Sequence, residues 1–376
     1  MNRLIIIGNG FDLANGLKTS YEDFLVWYIK SKIESVVENL VNYSDKLINV
    51  SFNNIYMPST PDFSTVSDLD GFLKHELIQW AKNENISLDF ASSKLGQHQT
   101  KVVTITVKSQ FFAELLTCLK NWTDIEKAYF HALLNSKSGG KYLPSKYNVL
   151  NEEFECLKKE LLAYITQVDE QFRSDSKIFD VFKLPKGSFF YNLLSWDTRD
   201  SILHPGLKTE NTEILIVNFN YTNTIREYWE NLRTPGESFK LRIIDIHGNC
   251  RNNEVIFGYG DESHPRYQEL EDEDDNDLLK NMKSFYYGFS DAYKQIIDFV
   301  QLDDFRAEVI GHSLGLSDRL LFREIFESEK CKKIKLFHRG DKPSYFQKRI
   351  AISRHFKDNT AMRNKVLDYD SRDVFA

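Results

Sequence analysis

The sequence predicts an α/β protein: a doubly wound, mostly parallel sheet interrupted by a large helical insertion. Three observations lead there. Short runs of nearly continuous Ile, Leu and Val recur along the 376 residues, the pattern of strands covered on both faces in a parallel sheet. Long segments separate most of them, as parallel crossovers demand. Small-residue turns follow several of the runs directly, as where a strand hands over to a helix.

The expected strands, in order, are Arg3 to Ile7, Glu213 to Val217, Leu241 to Ile246, Ala307 to Ile310 and Lys333 to Phe337. Between the first two lies a stretch that reads mainly as helix. In Asn151 to Phe172, the residues Phe154, Leu157, Leu161, Ile165, Val168 and Phe172 recur at spacings of three and four and form one apolar stripe. Ser136 to Gly140 reads as a loop, and Val102 to Val107 as a local strand. The expected organisation is a nucleotide-binding core from residues 1–30 and 205–345, a mainly helical insertion or lid over 31–204, and a basic extension over 346–376.

Composition narrows the function classes. Hydrophobic residues make up 41% and aromatics 14%, enough to fill a core without disulfides or structural metal. The longest apolar runs fall far short of the roughly 20 residues of a membrane helix, and Leu4 to Ile7 is too short for a signal-peptide core. A cytoplasmic protein with no membrane partner is expected. Cys118, Cys156, Cys250 and Cys331 are scattered with no CxxC pair, so no metal site is predicted. The net charge of −7 argues against a whole-surface nucleic-acid binder. Its distribution is uneven: seven of the nine residues from Glu269 to Asp277 are acidic and read as a solvated loop. From Arg323 to Lys365, 13 Lys or Arg stand against 5 Asp or Glu; nucleic acid is a possible partner there, and a solvated basic face the plainer reading.

Candidate chemistry sits where the expected strands end. Gly8-Asn9-Gly10-Phe11-Asp12 follows the first strand; its glycines permit positive φ and let backbone N–H groups approach a nucleotide phosphate. The third glycine is Gly16 and not residue 13, so this is not the ordinary dinucleotide fingerprint. Asn218-Phe219-Asn220-Tyr221-Thr222-Asn223 follows the second strand, and a side-chain amide there can hold a ribose hydroxyl or a water. His247-Gly248 follows the third and offers a general base near neutral pH. Gly311-His312-Ser313-Leu314-Gly315, leading to Ser317 and Asp318, follows the fourth. Ligands of open α/β sheets bind at the C-terminal strand edge, so all four segments are expected to converge on one crevice.

These residues carry a resemblance. Gly8 to Tyr21, with Gly311 to Gly315 and Asp318, resembles the opening and closing signatures of the AbiH family of bacterial abortive-infection (anti-phage) proteins. More distantly, Gly8, Gly10 and Gly16, Asn220-Tyr221, His247-Gly248 and Gly311-x-Ser313 resemble, in order, the blocks of the sirtuin superfamily. Asn9, Asp12 and Thr222 depart from its alanine, small residue and aspartate. The sirtuin resemblance implies a Rossmann-variant NAD-binding core, with Asn220 and His247 as catalytic residues. It puts Gly8, Asn9, Gly10, Phe11, Asp12, Gly16, Tyr221, Gly311, Ser313 and Asp318 around NAD. The four-cysteine zinc module of sirtuin deacetylases is absent from the sequence, so the implied activity is NAD hydrolysis triggered by phage, in a protein that assembles as a homo-oligomer. Two other readings stand beside it. Gly311-His-Ser-Leu-Gly315 also satisfies the GxSxG serine-hydrolase elbow, with Ser313 as nucleophile, Asp318 or Asp341 as acid and His338 or His355 as base. A nucleotide sensor without turnover would keep the glycine turn and have no need of His247.

Overall fold

The computed structural model describes residues 1–39, 41–55, 85–91, 100–117, 122–174, 213–232 and 240–375. The expectations for Cys118 and for residues 175–204 of the insertion lie outside them. Two compact units are present: Met1–Thr19 with Ile165–Tyr267 and Met282–Ala376, and Ser20–Tyr164 with Gln268–Asn281.

The first unit is built on five parallel strands, β1 (Asn2–Ile7), β2 (Glu213–Asn218), β3 (Lys240–Asp245), β4 (Phe305–Ile310) and β5 (Cys331–Leu336). Their order across the sheet is β5-β4-β1-β2-β3. From β1 the chain therefore builds outward on one side through β2 and β3, then crosses over to build β4 and β5 on the other. All five were expected, each within two residues of its observed start. Side chains alternate between faces. Leu4, Ile6, Leu215, Val217, Ala307, Val309, Ile334 and Leu336 share one buried cluster with Phe299 and Val300 of helix Ala292–Leu302. Phe322, Ile325 and Phe326 of helix Arg319–Glu327 join the same cluster.

The opposite face of β1 and β4 carries charge in the interior. Arg3 donates twice to Glu308 at 2.9 Å, and Arg306 donates to the same carboxylate at 2.8 Å. Burial would raise the Glu308 carboxyl, but the two guanidiniums override it and hold it at about 2.

Residues 346–375 are part of this unit and not an appendage. Helices Lys342–Ser353 and Asn359–Lys365, with the residues that follow each, place Ile352, Phe356, Met362 and Val366 in the same cluster. The chain end returns to β5 through His338 N–H to Asp373 O at 3.0 Å. The basic surplus hid this packing, because the apolar residues are spaced one per turn among cations.

The second unit holds helices Tyr21–Asn39, Gln110–Thr117 and Trp122–Leu134, together with Pro144–Ser174 up to Tyr164. All six residues of the expected apolar stripe on that last helix are buried. A four-stranded antiparallel sheet is also present, in the order Tyr43–Ser44, Ile48–Ile55, Thr100–Val107, Asn85–Ala91. Only the Thr100–Val107 strand was anticipated; the insertion is mixed in character. Ser136 to Gly140 is the tip of a tight hairpin, with Gly139 and Gly140 at φ of +59° and +83°. The acidic run is exposed at Glu271 to Asp274 and is anchored by Tyr147, which donates to Asp275. No described helix is long and apolar enough to cross a membrane.

Candidate functional site

The order of strands reverses between β1 and β4, and there the turns that follow them lock together. Gly8 N–H donates to Ile310 O at 3.0 Å, and Gly10 N–H to Gly311 O at 2.8 Å. A Cβ on Gly10 would meet Gly311 O at 2.7 Å, and one on Gly8 would meet His312 Cα at 2.6 Å. Backbone-to-backbone approach thus requires these glycines, and it commits the two amides expected to cradle a pyrophosphate. That part of the expectation is corrected: Gly8 and Gly10 join two turns. The residues around them have structural partners too. Asn9 Nδ2 donates to Thr19 O at 2.9 Å, the Phe11 ring meets that of Tyr228 edge-on at 5.4 Å, and Gly16 turns the chain at φ +80°.

Asp12 is different. It is 1% exposed, and its Oδ2 accepts from Thr222 Oγ1 at 2.6 Å while Thr224 Oγ1 donates on to Thr222 at 3.1 Å. Among the described residues its Oδ1 has no hydrogen-bond partner. Burial pushes this carboxyl up to about 7, against the lowering effect of Thr222, Thr224 and Asn220. Near neutrality it is therefore shared between acid and carboxylate.

Asn220 and His247 reach the same strand edge from β2 and β3. Asn220 Nδ2 donates to Gly8 O at 3.3 Å, and its N–H donates to Asn218 Oδ1 at 3.1 Å. The Phe219 ring stands edge-on to two imidazoles, 5.1 Å from His247 and 4.4 Å from His312. Tyr221 lies 6.2 Å from the His247 ring and donates its hydroxyl to Ile256 O at 3.3 Å. His247 Nε2 meets Asp318 Oδ1 at 3.0 Å, and Lys283 Nζ donates to the same oxygen at 2.9 Å. All three side chains are buried. Burial alone would raise the Asp318 carboxyl, but the Lys283 charge and His247 hold it far below the usual carboxylate range. An ionised Asp318 can only accept, so Nε2 carries a proton aimed at it, and Nδ1 is the ring nitrogen outside the pair. No hydrogen bond within the described residues occupies that Nδ1.

The structure thus brings Gly8, Asn220, His247 and Asp318 together and gives Asp318 a role other than ligand contact: it orients the imidazole. Lys283 escaped the sequence reading because nothing around it marks a site. It opens a four-residue helix, Lys283–Tyr286, 35 residues before its partner. Beside this group, Asp169 accepts from Asn223 N–H at 2.7 Å and from Arg251 Nε at 3.3 Å. This network also escaped the sequence reading, its members being far apart along the chain.

The serine-hydrolase elbow is not assembled. Ser313 is exposed and has no hydrogen-bond partner among the described residues. The positive φ falls on Gly311 and Leu314, at +65° and +57°, and not on the serine. Asp341 caps a helix by accepting from Ser344 N–H. His338 Nε2 is taken by Asp370 O and His355 Nε2 by Leu314 O, each at 2.9 Å. His312, pushed down to about 3 by burial, accepts from Leu314 N–H at Nδ1. No group of His, Cys, Asp or Glu suited to a metal ion occurs among the described residues.

Comparison with curated proteins finds no match. The family described as bacteriophage abortive infection AbiH matches residues 4–339, a span that takes in all of the parallel sheet but Asn2 and Arg3 and every residue of the His247 group. The chain belongs to the AbiH family.

Proposed function

We propose that this AbiH protein acts in abortive infection by binding NAD along the C-terminal edge of the sheet and hydrolysing its nicotinamide–ribose bond. One observation carries the reading: the ends of β1, β2, β3 and β4 deliver a glycine turn, Asn220, His247 and Asp318 to one rim, at the reversal of strand order where open α/β sheets take nucleotides. The sirtuin-like, doubly wound description of this core belongs to the same proposal.

In this mechanism Asn220 orients the ribose and the attacking water. Asp318, held by Lys283, keeps the His247 proton on Nε2, so Nδ1 accepts a proton from that water. The water oxygen bonds to the ribose anomeric carbon, and nicotinamide leaves as a neutral base with the electron pair of the broken bond. No general acid is needed, because the nicotinamide nitrogen is already cationic in the substrate. Asp12, at about 7, is partly protonated and opposes a nearby phosphate less than a full carboxylate would. Activation by a phage-derived trigger and assembly into a homo-oligomer complete the proposal, on the strength of the resemblance.

The test is nicotinamide release from NAD by purified, phage-activated protein. Loss of release in Asn220→Ala and His247→Gln, with folding intact, supports the assignment; parental rates in both variants overturn it. A second reading, a nucleotide sensor without turnover, is favoured by the burial of both side chains, at 6% and 5% exposure. It predicts thermal stabilisation by NAD with no nicotinamide released.

A further inference from the structure

The turn after β4 faces a cation that has no counter-charge among the described residues. Lys348, on helix Lys342–Ser353, places its Nζ 3.2 Å from His312 O, the carbonyl of the peptide that joins His312 to Ser313. That contact uses one of the three donors an ammonium carries. The Phe375 ring lies 5.5 Å away and stabilises the charge without neutralising it. Among the described residues no carboxylate pairs with Lys348. Burial pushes its ammonium down to about 8, and the Arg339 charge adds to the effect.

Arg339 follows β5 at the same edge of the sheet, three residues past Leu336. Its backbone N–H donates to Ser344 Oγ, and its guanidinium makes no ion pair or hydrogen bond among the described residues. Ser313, next to the carbonyl that Lys348 touches, presents an exposed hydroxyl with no partner among the described residues. The neighbouring carboxylates are already committed. Asp341 caps its helix, Asp368 pairs with Arg349, Asp370 with Arg372, and Asp373 with Lys335.

Two cations and a hydroxyl with spare donors, for which the described residues provide no further acceptor, describe one half of an anion site. We propose that Lys348, Arg339 and Ser313 form a subsite for a nucleotide phosphate at the β4–β5 end of the sheet. Arg339 suits the planar, bidentate recognition of a phosphate, and Lys348 a point charge against one oxygen. A half-buried ammonium is strengthened by a dianion more than an exposed one would be, because solvent screens it less. The subsite extends the nucleotide reading above and rests on it only for the kind of molecule that carries the phosphate. The phosphate can be the pyrophosphate of NAD or a terminal monoester, such as the 2′-phosphate of NADP.

The experiment is calorimetric titration of the full-length protein with NAD, NADP, 2′-AMP, 5′-AMP and adenosine, for the parent and for Lys348→Met and Arg339→Gln. Lys348 is partly solvent-exposed and both substitutions keep the stem, so unchanged melting temperatures certify folding. The expected result is that adenosine binds all three proteins alike, whereas phosphate-bearing ligands bind the Lys348→Met variant at least tenfold more weakly. A loss confined to NADP and 2′-AMP places a 2′-monoester in the subsite; a loss shared by NAD places the pyrophosphate there. Parental affinity of both folded variants for every phosphate-bearing ligand overturns the proposal, as does a parent that binds none of them. The two readings fail separately. Nicotinamide release can be absent while Lys348 still governs 5′-AMP binding, and release can persist unaltered in Lys348→Met with its affinity unchanged.

Discussion

Replacing Asp318 by asparagine keeps the shape of the side chain and removes its charge, taking from the buried Lys283 ammonium the carboxylate it meets at 2.9 Å. Breaking a buried ion pair from one side costs about 3–5 kcal/mol, because the remaining charge stays desolvated. For a unit of this size that corresponds to a melting temperature lower by roughly 6–20 °C. The second half of the cycle is the sharper test. Lys283→Met in the Asp318→Asn background removes the stranded charge, and replacing a buried pair with apolar or neutral groups is often close to neutral. The double variant is therefore expected to recover at least half of the loss, seen as the midpoint of a urea transition followed by circular dichroism. The acid limb supplies an independent readout. Asp318 is held below its ordinary value, so its contribution is complete above the ordinary carboxylate range and drains away as pH falls below about 4. The Asp318→Asn variant lacks that drain. A loss under about 1 kcal/mol for Asp318→Asn, or a double variant weaker than the single one, refutes the view that Lys283 and Asp318 act as a buried pair.

Further outcomes follow from other contacts. Asp12 is raised to about 7, so the folded state holds its proton more tightly than the unfolded chain does, and stability falls as pH rises from about 4 to 7. Asp12→Asn flattens that limb, by up to about 1.4 kcal/mol per pH unit, in urea titrations at stepped pH. Gly10→Ala drives a methyl into Gly311 O and lowers stability by about 1–3 kcal/mol, read from chemical denaturation. Ser313→Ala leaves the melting temperature unchanged, since the hydroxyl is exposed and makes no hydrogen bond within the described residues, and a fluorophosphonate serine probe leaves the parent unlabelled. Labelling at Ser313 would reinstate the hydrolase reading.

The parallel sheet was legible because each strand is short, apolar and bounded by turn residues; even Arg306 and Glu308 within β4 did not conceal its Ala307 to Ile310 half. The convergence of the four turns was legible for the same reason, since parallel strands put all their C-terminal ends on one edge. Partnerships within that edge were not. His247 and Asp318 are 71 residues apart and Lys283 lies between them on an unremarkable four-residue helix. A glycine that serves a phosphate and a glycine that serves a neighbouring backbone also look the same in sequence, because both need only the absence of a Cβ. The contact of Gly10 with Gly311 decides between them, and it joins residues that no local pattern connects. In the second unit, the strands Ile48–Ile55 and Asn85–Ala91 carry asparagines and an aspartate that broke the apolar runs on which strand recognition depended.

The central position of β1 sets a timetable for the molecule. It is made well before its two ladder partners, which begin at Glu213 and Phe305. At about 5–20 residues per second, β1 waits roughly 15–60 s for the second of them. Throughout that interval the nascent chain holds an unpaired apolar ribbon, and the rim bearing His247 and Asp318 has no floor to stand on. A polypeptide cut short before β4 is thus one whose central strand lacks a ladder partner and whose His247 lacks Asp318.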